Sequence, residues 1–138
     1  MQTIVIDYLR IFRFLVVCPQ YKTLTDADRK YGHGTTVTPK CDITLNGWYR
    51  FQGDAGRKMM TTCPSINKCG GRFTAWLHDS HPTVAQGSVQ KKICIRKFEN
   101  GDCCFDSYST DVRNCGSYFI YMLLTPQFSC DFRYCGTD

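Results

Sequence analysis

Metal-ligand spacing is missing from this chain. No C-x2-C pair occurs, and the three histidines, His33, His78 and His81, are too few and too scattered to complete a structural zinc pattern. There is no nucleophile elbow and no glycine-rich phosphate loop, the two local signatures that would have pointed to hydrolase or nucleotide chemistry. No N-x-[Ser/Thr] sequon is present: Asn46, Asn67, Asn100 and Asn114 are followed by Gly-Trp, Lys-Cys, Gly-Asp and Cys-Gly, so no N-linked glycan is expected within the chain. Charge of one sign is in modest excess, with 17 Lys and Arg against 12 Asp and Glu, a net +5. That is not the signature of a nucleic-acid partner. The sequence has no low-complexity segment, no internal repeat and no linker, which leaves one domain. The apolar N-terminal stretch, Met1 to Val17, is too short to span a bilayer and is interrupted by Asp7, Arg10 and Arg13. Helical periodicity is scarce after residue 17.

Cysteine, by contrast, is abundant. Ten occur in 138 residues: Cys18, Cys41, Cys63, Cys69, Cys94, Cys103, Cys104, Cys115, Cys130 and Cys135. An even count at this density is the usage of small secreted domains, where disulfides supplement a modest core. It directs the chain to an extracellular compartment and away from thiol catalysis. The adjacent pair Cys103-Cys104 rarely closes on itself because the ring is strained, so the two reach different partners and tie two layers together. The same density bears on residues 1–17. They read as a degenerate signal, a leading element of the fold or the start of a fragment, and the need for the secretory pathway favours the fragment. The domain proper is then 18–138.

A real core is expected, with 43% hydrophobic and 14% aromatic residues, including nine Phe, eight Tyr and two Trp. One short helical turn is predicted at Thr25 to Arg29, followed by a Gly/Thr/Pro-rich loop from Tyr31 to Lys40. Strand-like runs then dominate. Trp48-Tyr49-Arg50-Phe51 follows the turn signal Asn46-Gly47, and alternation puts Trp48 and Arg50 on one face, Tyr49 and Phe51 on the other. Gly47 to Phe51 reads as scaffold, with Arg50 placed to stack on an aromatic ring. Ser88 to Ile95 alternates partially, Asp111 to Asn114 is short, and Tyr118 to Leu124 is a continuous apolar run expected as a central, fully buried strand. Turn signals at Gly53, Gly56, Gly70-Gly71, His81-Pro82, Asn100-Gly101 and Thr125-Pro126 divide these runs. The pattern predicts a mainly β, small disulfide-rich single domain of short antiparallel strands, sandwich-like, with little helix.

Two groups of residues could carry function. His78-Asp79-Ser80-His81 contains the residue types of a hydrolase triad. Neighbours on one loop cannot supply the base-orienting geometry, however, and an exposed turn is the expectation, with no catalysis and no metal. Trp76 with His78, Asp79 and His81 is also the only aromatic-plus-polar cluster that could face a saccharide, and burial of Trp76 would undercut that reading. The pairs Arg57-Lys58, Lys91-Lys92 and Arg96-Lys97 suit a solvated face or, more sharply, a patch for acidic glycans or anionic surfaces.

Several segments taken together resemble one family. They are Cys18-x2-Tyr21-x2-Leu24, Cys41-Asp42-x2-Leu45-x-Gly47-Trp48-Tyr49-Arg50-Phe51-x-Gly53, Gly56-x2-Met59, Cys63-Pro64, Cys69-Gly70, Trp76-Leu77, His81-Pro82, Gly87-x-Val89, Cys94, Cys103-Cys104, Val112, Cys115, Tyr118 to Tyr121, Pro126, Cys130 and Tyr134-Cys135. The pattern is similar to the cysteine-rich (eight- or ten-cysteine) module of the uromodulin family, shared with the major glycoprotein of pancreatic secretory granule membranes and the liver zona-pellucida-type protein. The resemblance runs from Cys18 to Cys135. It implies the disulfides Cys18–Cys115, Cys41–Cys130, Cys63–Cys103, Cys69–Cys135 and Cys94–Cys104, four of which would close long loops worth about 4 kcal/mol each by chain entropy.

The resemblance further implies a non-catalytic interaction or structural module of a secreted or matrix glycoprotein, without a cofactor. Its partner would be an unidentified extracellular protein or glycan, and its parent protein would carry EGF-like or zona pellucida domains. The alternatives are a lectin-like module or a host-defence module recognising microbial or anionic glycans. One family property does not transfer. Vertebrate members carry glycosylated L-N-G-T-H-P where this chain reads Leu77-His78-Asp79-Ser80-His81-Pro82, and their second sequon is replaced near Met122-Leu123-Leu124. A glycan-decoy role would need sugars elsewhere.

Overall fold

The computed structural model describes residues 18–42, 44–97, 101–124 and 132–138. Within them the chain is mainly β. Nine strands are described: β1 Lys22–Leu24, β2 Asn46–Phe51, β3 Lys58–Met59, β4 Phe73–Leu77, β5 Ser88–Arg96, β6 Asp106–Asn114, β7 Phe119–Leu124, β8 Phe132–Tyr134 and β9 Gly136–Thr137. The helical content is limited to short 3₁₀ turns at Ala27–Arg29, Tyr31–His33, Gly53–Ala55 and Val84–Gln86. The predicted turn at Thr25 to Arg29 is thus a 3₁₀ turn starting two residues later.

Seven strands form one sheet in the order β1-β2-β7-β6-β5-β4-β8, and β3 pairs with β9 in a second, two-stranded sheet. The four central pairings, β2–β7, β7–β6, β6–β5 and β5–β4, are antiparallel. At the two edges, β1 runs parallel to β2 and β8 parallel to β4. Parallel neighbours need long crossovers, and the β1-to-β2 crossover holds the 3₁₀ turns Ala27–Arg29 and Tyr31–His33. Strand β6 is longer than its sequence suggests. Its Ser, Asp and Thr residues disguise a partner that pairs with β5 from Ser88↔Arg113 to Ile95↔Asp106. The Tyr118 to Leu124 run does supply an interior strand, but it is not buried throughout: Ile120, Tyr121 and Leu123 are buried whereas Leu124 is 49% exposed.

The core gathers on one side of the large sheet. Tyr49 and Phe51 of β2, Tyr121 and Leu123 of β7, Val112 of β6, Ile93 and Ile95 of β5, and Ala75 and Leu77 of β4 are all buried there. Strand alternation places them on one face, because Tyr49 pairs with Tyr121 and Tyr121 with Val112. Met59 of the small sheet joins the same cluster, and its N–H donates to the Tyr121 hydroxyl at 2.8 Å. Gly136 makes the closest approach: a Cβ there would stand 2.1 Å from the Ala55 carbonyl oxygen. Only glycine lets β9 lie against that turn.

Four disulfides frame the described residues: Cys18–Cys115, Cys63–Cys103, Cys69–Cys135 and Cys94–Cys104, with sequence separations of 97, 40, 66 and 10. Cys103 and Cys104 therefore have different partners, one before β4 and one on β5. Cys41 is also disulfide-bonded. Cys130, with Pro126, the Thr125-Pro126 turn, Asn100 and residues 1–17, lies outside the described residues.

A buried ionic network closes the other end. Arg29, 2% exposed, grips Asp42, 5% exposed, with two bonds of 2.7 Å and donates a third, of 3.0 Å, to the Tyr134 carbonyl. Asp42 accepts the Tyr134 N–H at 2.8 Å, and Arg133 stands 3.4 Å from Asp42 and 3.1 Å from Asp28. Burial opposes charge on both Asp28 and Arg29. Even so, the contacts with Lys40 and Arg133 hold the Asp28 carboxyl below its usual range, and Asp42 raises Arg29 above its own. The network joins the first 3₁₀ turn, the segment before β2 and strand β8.

Candidate functional site

The residues singled out in the sequence fall on the loop after β4, and a cleft opens beside β2. β4 ends at Leu77, and the chain then turns through His78 to Pro82. Trp76 is only 6% exposed, and its Nε1–H donates to the Cys103 carbonyl at 2.8 Å. Its indole thus serves to seat the loop that carries the vicinal cysteines. His78 lies at the edge of that ring, with centroids 5.1 Å apart. Asp79 turns the other way, to Lys91 at 3.6 Å. Trp76 pairs with Cys94, so alternation puts Lys91 on the opposite face from Trp76.

His81 goes to the core side. It packs against Phe119, with centroids 4.2 Å apart, and its Nε2 meets the Tyr121 hydroxyl at 2.7 Å. That hydroxyl already accepts the Met59 N–H, so its own proton is best placed on Nε2, and a neutral His81 protonated at Nδ1 completes the chain. Burial, then the charges of Lys58 and Lys91, push His81 down to about 4. Burial raises the Tyr121 phenol far above its ordinary range. Trp76, His78, Asp79 and His81 therefore do not converge on one groove. The triad-like run is likewise dispersed: its histidines and its carboxylate face separate partners, and Asp79 also accepts the Ser80 N–H at 2.8 Å.

The basic pairs are split in the same manner. The Lys91 side chain is 10% exposed and paired with Asp79, whereas Lys92 faces solvent. Arg96 Nη1 sits 2.9 Å from the Cys63 sulfur and 3.2 Å from that of Cys103, and Lys97 lies 5.9 Å above the Phe105 ring. Arg96 and Lys97 thus brace the disulfide-rich loops, whereas Arg57 is exposed beside Arg50.

Arg50 occupies a more ligand-like setting. Its guanidinium lies 4.2 Å from the centroid of Tyr118 and donates to the Tyr21 hydroxyl at 3.0 Å. The two tyrosine rings are 5.2 Å apart. Burial and the neighbouring Tyr21 raise the Tyr118 phenol, against the opposing pull of Arg50. A cleft of 320 Å³ opens here, lined by Arg50, Gln52, Arg57, Ser117 and Tyr118 among others. The sequence suggested Arg50 as scaffold stacked on an aromatic ring, without saying which ring. Tyr21 and Tyr118 stand far from it along the chain, and only the β1–β2–β7 pairing brings them together.

Among the described residues, no group of three or more His, Cys, Asp and Glu could hold a metal ion. Nor is any helix long and apolar enough to cross a membrane. Fold and surface together define a disulfide-framed, mainly β module that presents loops and a cleft lined by Arg50, Arg57 and Tyr118.

The family is equally plain: residues 49–136 match the model of the uromodulin-like domain, and the chain belongs to that family. It is 38% identical over 123 residues to the pancreatic secretory granule membrane major glycoprotein GP2 of Rattus norvegicus, covering 86% of this chain and 22% of that protein. It is 36% identical over 119 residues to uromodulin of Mus musculus, covering 86% of this chain and 18% of that protein. The chain thus spans about a fifth of the length of these curated relatives.

Proposed function

We propose that this chain is a non-catalytic interaction or structural module of a secreted or matrix glycoprotein of the uromodulin type. Its parent would carry EGF-like or zona pellucida domains elsewhere, and residues 18–138 would be the module proper. The observation that carries the reading is the cross-linking of early and late segments by the disulfides Cys18–Cys115 and Cys69–Cys135 and by the Arg29–Asp42–Tyr134 network. Such a frame suits a rigid presenter of loops outside the cell, where disulfides persist. The separate partners of His78, Asp79 and His81 support the absence of catalysis.

A second reading, recognition of an anionic glycan, is favoured by the Arg50–Arg57 cleft and not by Trp76. The two are separated by immobilising the oxidised module and probing it with panels of extracellular proteins and of neutral, sialylated and sulfated glycans, at low and high salt. Saturable protein binding that reduction and alkylation abolish supports the first reading. Salt-sensitive binding of acidic glycans that Arg50→Ala or Arg57→Ala removes supports the second. Turnover of an ester, amide or glycoside probe by the oxidised module would overturn both.

A further inference from the structure

The Gly/Thr/Pro-rich loop plays no part in the core, the disulfide frame or the cleft. It runs without regular structure from Gly34 to Lys40, between the 3₁₀ turn Tyr31–His33 and Cys41, and holds three threonines in the run Thr35-Thr36-Val37-Thr38-Pro39. Two backbone hydrogen bonds, among other contacts, hold it to the body. The Thr36 N–H donates to the Asn67 carbonyl at 2.6 Å, and the Lys40 N–H to the Gly70 carbonyl at 2.8 Å. Between them the chain stands away from the core: Val37 is 92% exposed, the most exposed of the large hydrophobic residues described.

The three hydroxyls are not equivalent. Thr36 is half-buried, and its Oγ1 accepts the Gly70 N–H at 3.0 Å. Thr35 and Thr38 are exposed. Pro39 restricts Thr38 to extended backbone, the conformation a peptide takes when threaded through another protein's active site. The loop borders a cavity of 240 Å³ lined by Asp28, His33, Thr35, Thr36, Thr38 and Lys40 among others, none of them in the hydrophobic core, so a bulky group on Thr35 or Thr38 has open space beside it. Threonine clustered with proline at an exposed position is the composition of O-linked sugar attachment.

We infer that Thr38 and Thr35 are acceptors for an O-linked N-acetylhexosamine, a modification that rests on the extracellular reading above, since the chain must traverse the secretory pathway to meet it. The donor is a nucleotide-activated N-acetylhexosamine and the catalyst a glycosyltransferase of that pathway. The threonine Oγ1 attacks the anomeric carbon, the carbon–phosphate oxygen bond breaks, and the nucleoside diphosphate leaves with its electron pair. The hydroxyl proton passes to the departing diphosphate. A glycosidic bond forms with no change of oxidation state. In a chain without an N-x-[Ser/Thr] sequon, this loop supplies a place for sugar on the module itself.

The test is favourable in practice, because trypsin releases residues 31–40 as one cysteine-free peptide holding all three threonines. The chain is expressed in mammalian cells behind a secretory leader and purified from the medium, and this peptide is sequenced by electron-transfer fragmentation. The expected result is one or more N-acetylhexosamine additions on Thr38 or Thr35, lost in the Thr35→Ala/Thr38→Ala variant and retained in Thr36→Ala. A secreted, fully oxidised protein whose 31–40 peptide is unmodified, or modified on Thr36 alone, overturns the inference and leaves the module reading standing. A protein with unpaired thiols, retained in the cell, overturns the module reading and the inference with it.

Discussion

Replacing Asp42 by alanine is expected to be among the most damaging single changes in the ionic network. Its carboxylate receives two 2.7 Å bonds from Arg29 and one of 2.8 Å from the Tyr134 N–H, and Arg133 stands 3.4 Å away. Removing it strands two guanidiniums that are each 2% exposed and leaves a buried N–H on β8. Breaking a buried ion pair from one side costs about 3–5 kcal/mol, and an unpaired buried N–H about 1–3 kcal/mol. These costs do not simply add. Arg29 keeps Asp26 at 3.2 Å and Arg133 keeps Asp28 at 3.1 Å, so part of the charge stays compensated. The net expectation is a loss of about 3–5 kcal/mol, a large share of the stability of a small domain. Urea unfolding of the oxidised protein, followed by near-ultraviolet circular dichroism, measures it. Asp42→Asn, which keeps an acceptor for Tyr134, is expected to lie between wild type and alanine. The double variant Arg29→Met/Asp42→Leu is expected to be less damaging than Asp42→Ala, because it removes both charges together. A loss below about 1 kcal/mol for Asp42→Ala, or a double variant worse than the single, would refute the view that an uncompensated buried charge is what matters.

Acid is a second lever. His81 is held near 4 in the folded chain against 6.5 when unfolded, so between those values the unfolded state binds the extra proton. Its contribution is therefore complete above pH 6.5 and is lost as pH falls toward 4. The full shift corresponds to about 3 kcal/mol, and the ring's partial exposure reduces this to about 1–2 kcal/mol. Melting the His81→Gln variant across that range is expected to flatten the His81-dependent part of the slope, and an unchanged slope would exclude this histidine. Gly136→Ala is expected to abolish folding, since its Cβ would meet the Ala55 oxygen at 2.1 Å and Phe51 Cδ1 at 2.8 Å, whereas Gly32→Ala, with nothing within 4 Å, is expected to be tolerated; secretion yield reports both. Trp76→Phe strips the Cys103 carbonyl of its donor and is expected to cost about 1–3 kcal/mol without altering any glycan binding. A loss of glycan binding at unchanged stability would restore Trp76 to a ligand surface.

Parts of this structure were legible in single residues. The alternation of Trp48-Tyr49-Arg50-Phe51 shows directly in the burial of Tyr49 and Phe51, because a strand's period of two is a local property. The Tyr118 to Leu124 run was visible through its unbroken apolar, aromatic-rich composition, although Leu124 is exposed. Strand β6 was not, since a polar strand gains its identity from its neighbour, and Thr110, Asp111 and Arg113 pair with Lys91, Gln90 and Ser88 only after the hairpin closes. The cluster at Trp76, His78, Asp79 and His81 looked coherent because its residues adjoin in sequence. Adjacent residues of a turning chain leave in different directions, and the core and the Cys103 loop each claimed a member.

The sequence by itself determined the class: ten cysteines, frequent turn signals and scarce helical periodicity specify a mainly β, disulfide-framed module, and each of these is a matter of composition or short-range spacing. Tertiary structure alone decided which charges are buried in a network and which line an open cleft. Arg29, Asp42 and Arg133 are unremarkable along the chain and become a buried network when its first and last segments meet. Arg50 gains Tyr21 and Tyr118 only when β1 and β7 flank β2. The physical reason is common to both cases: the cost of burying a charge and the worth of its partner depend on desolvation, which is set by residues distant in sequence.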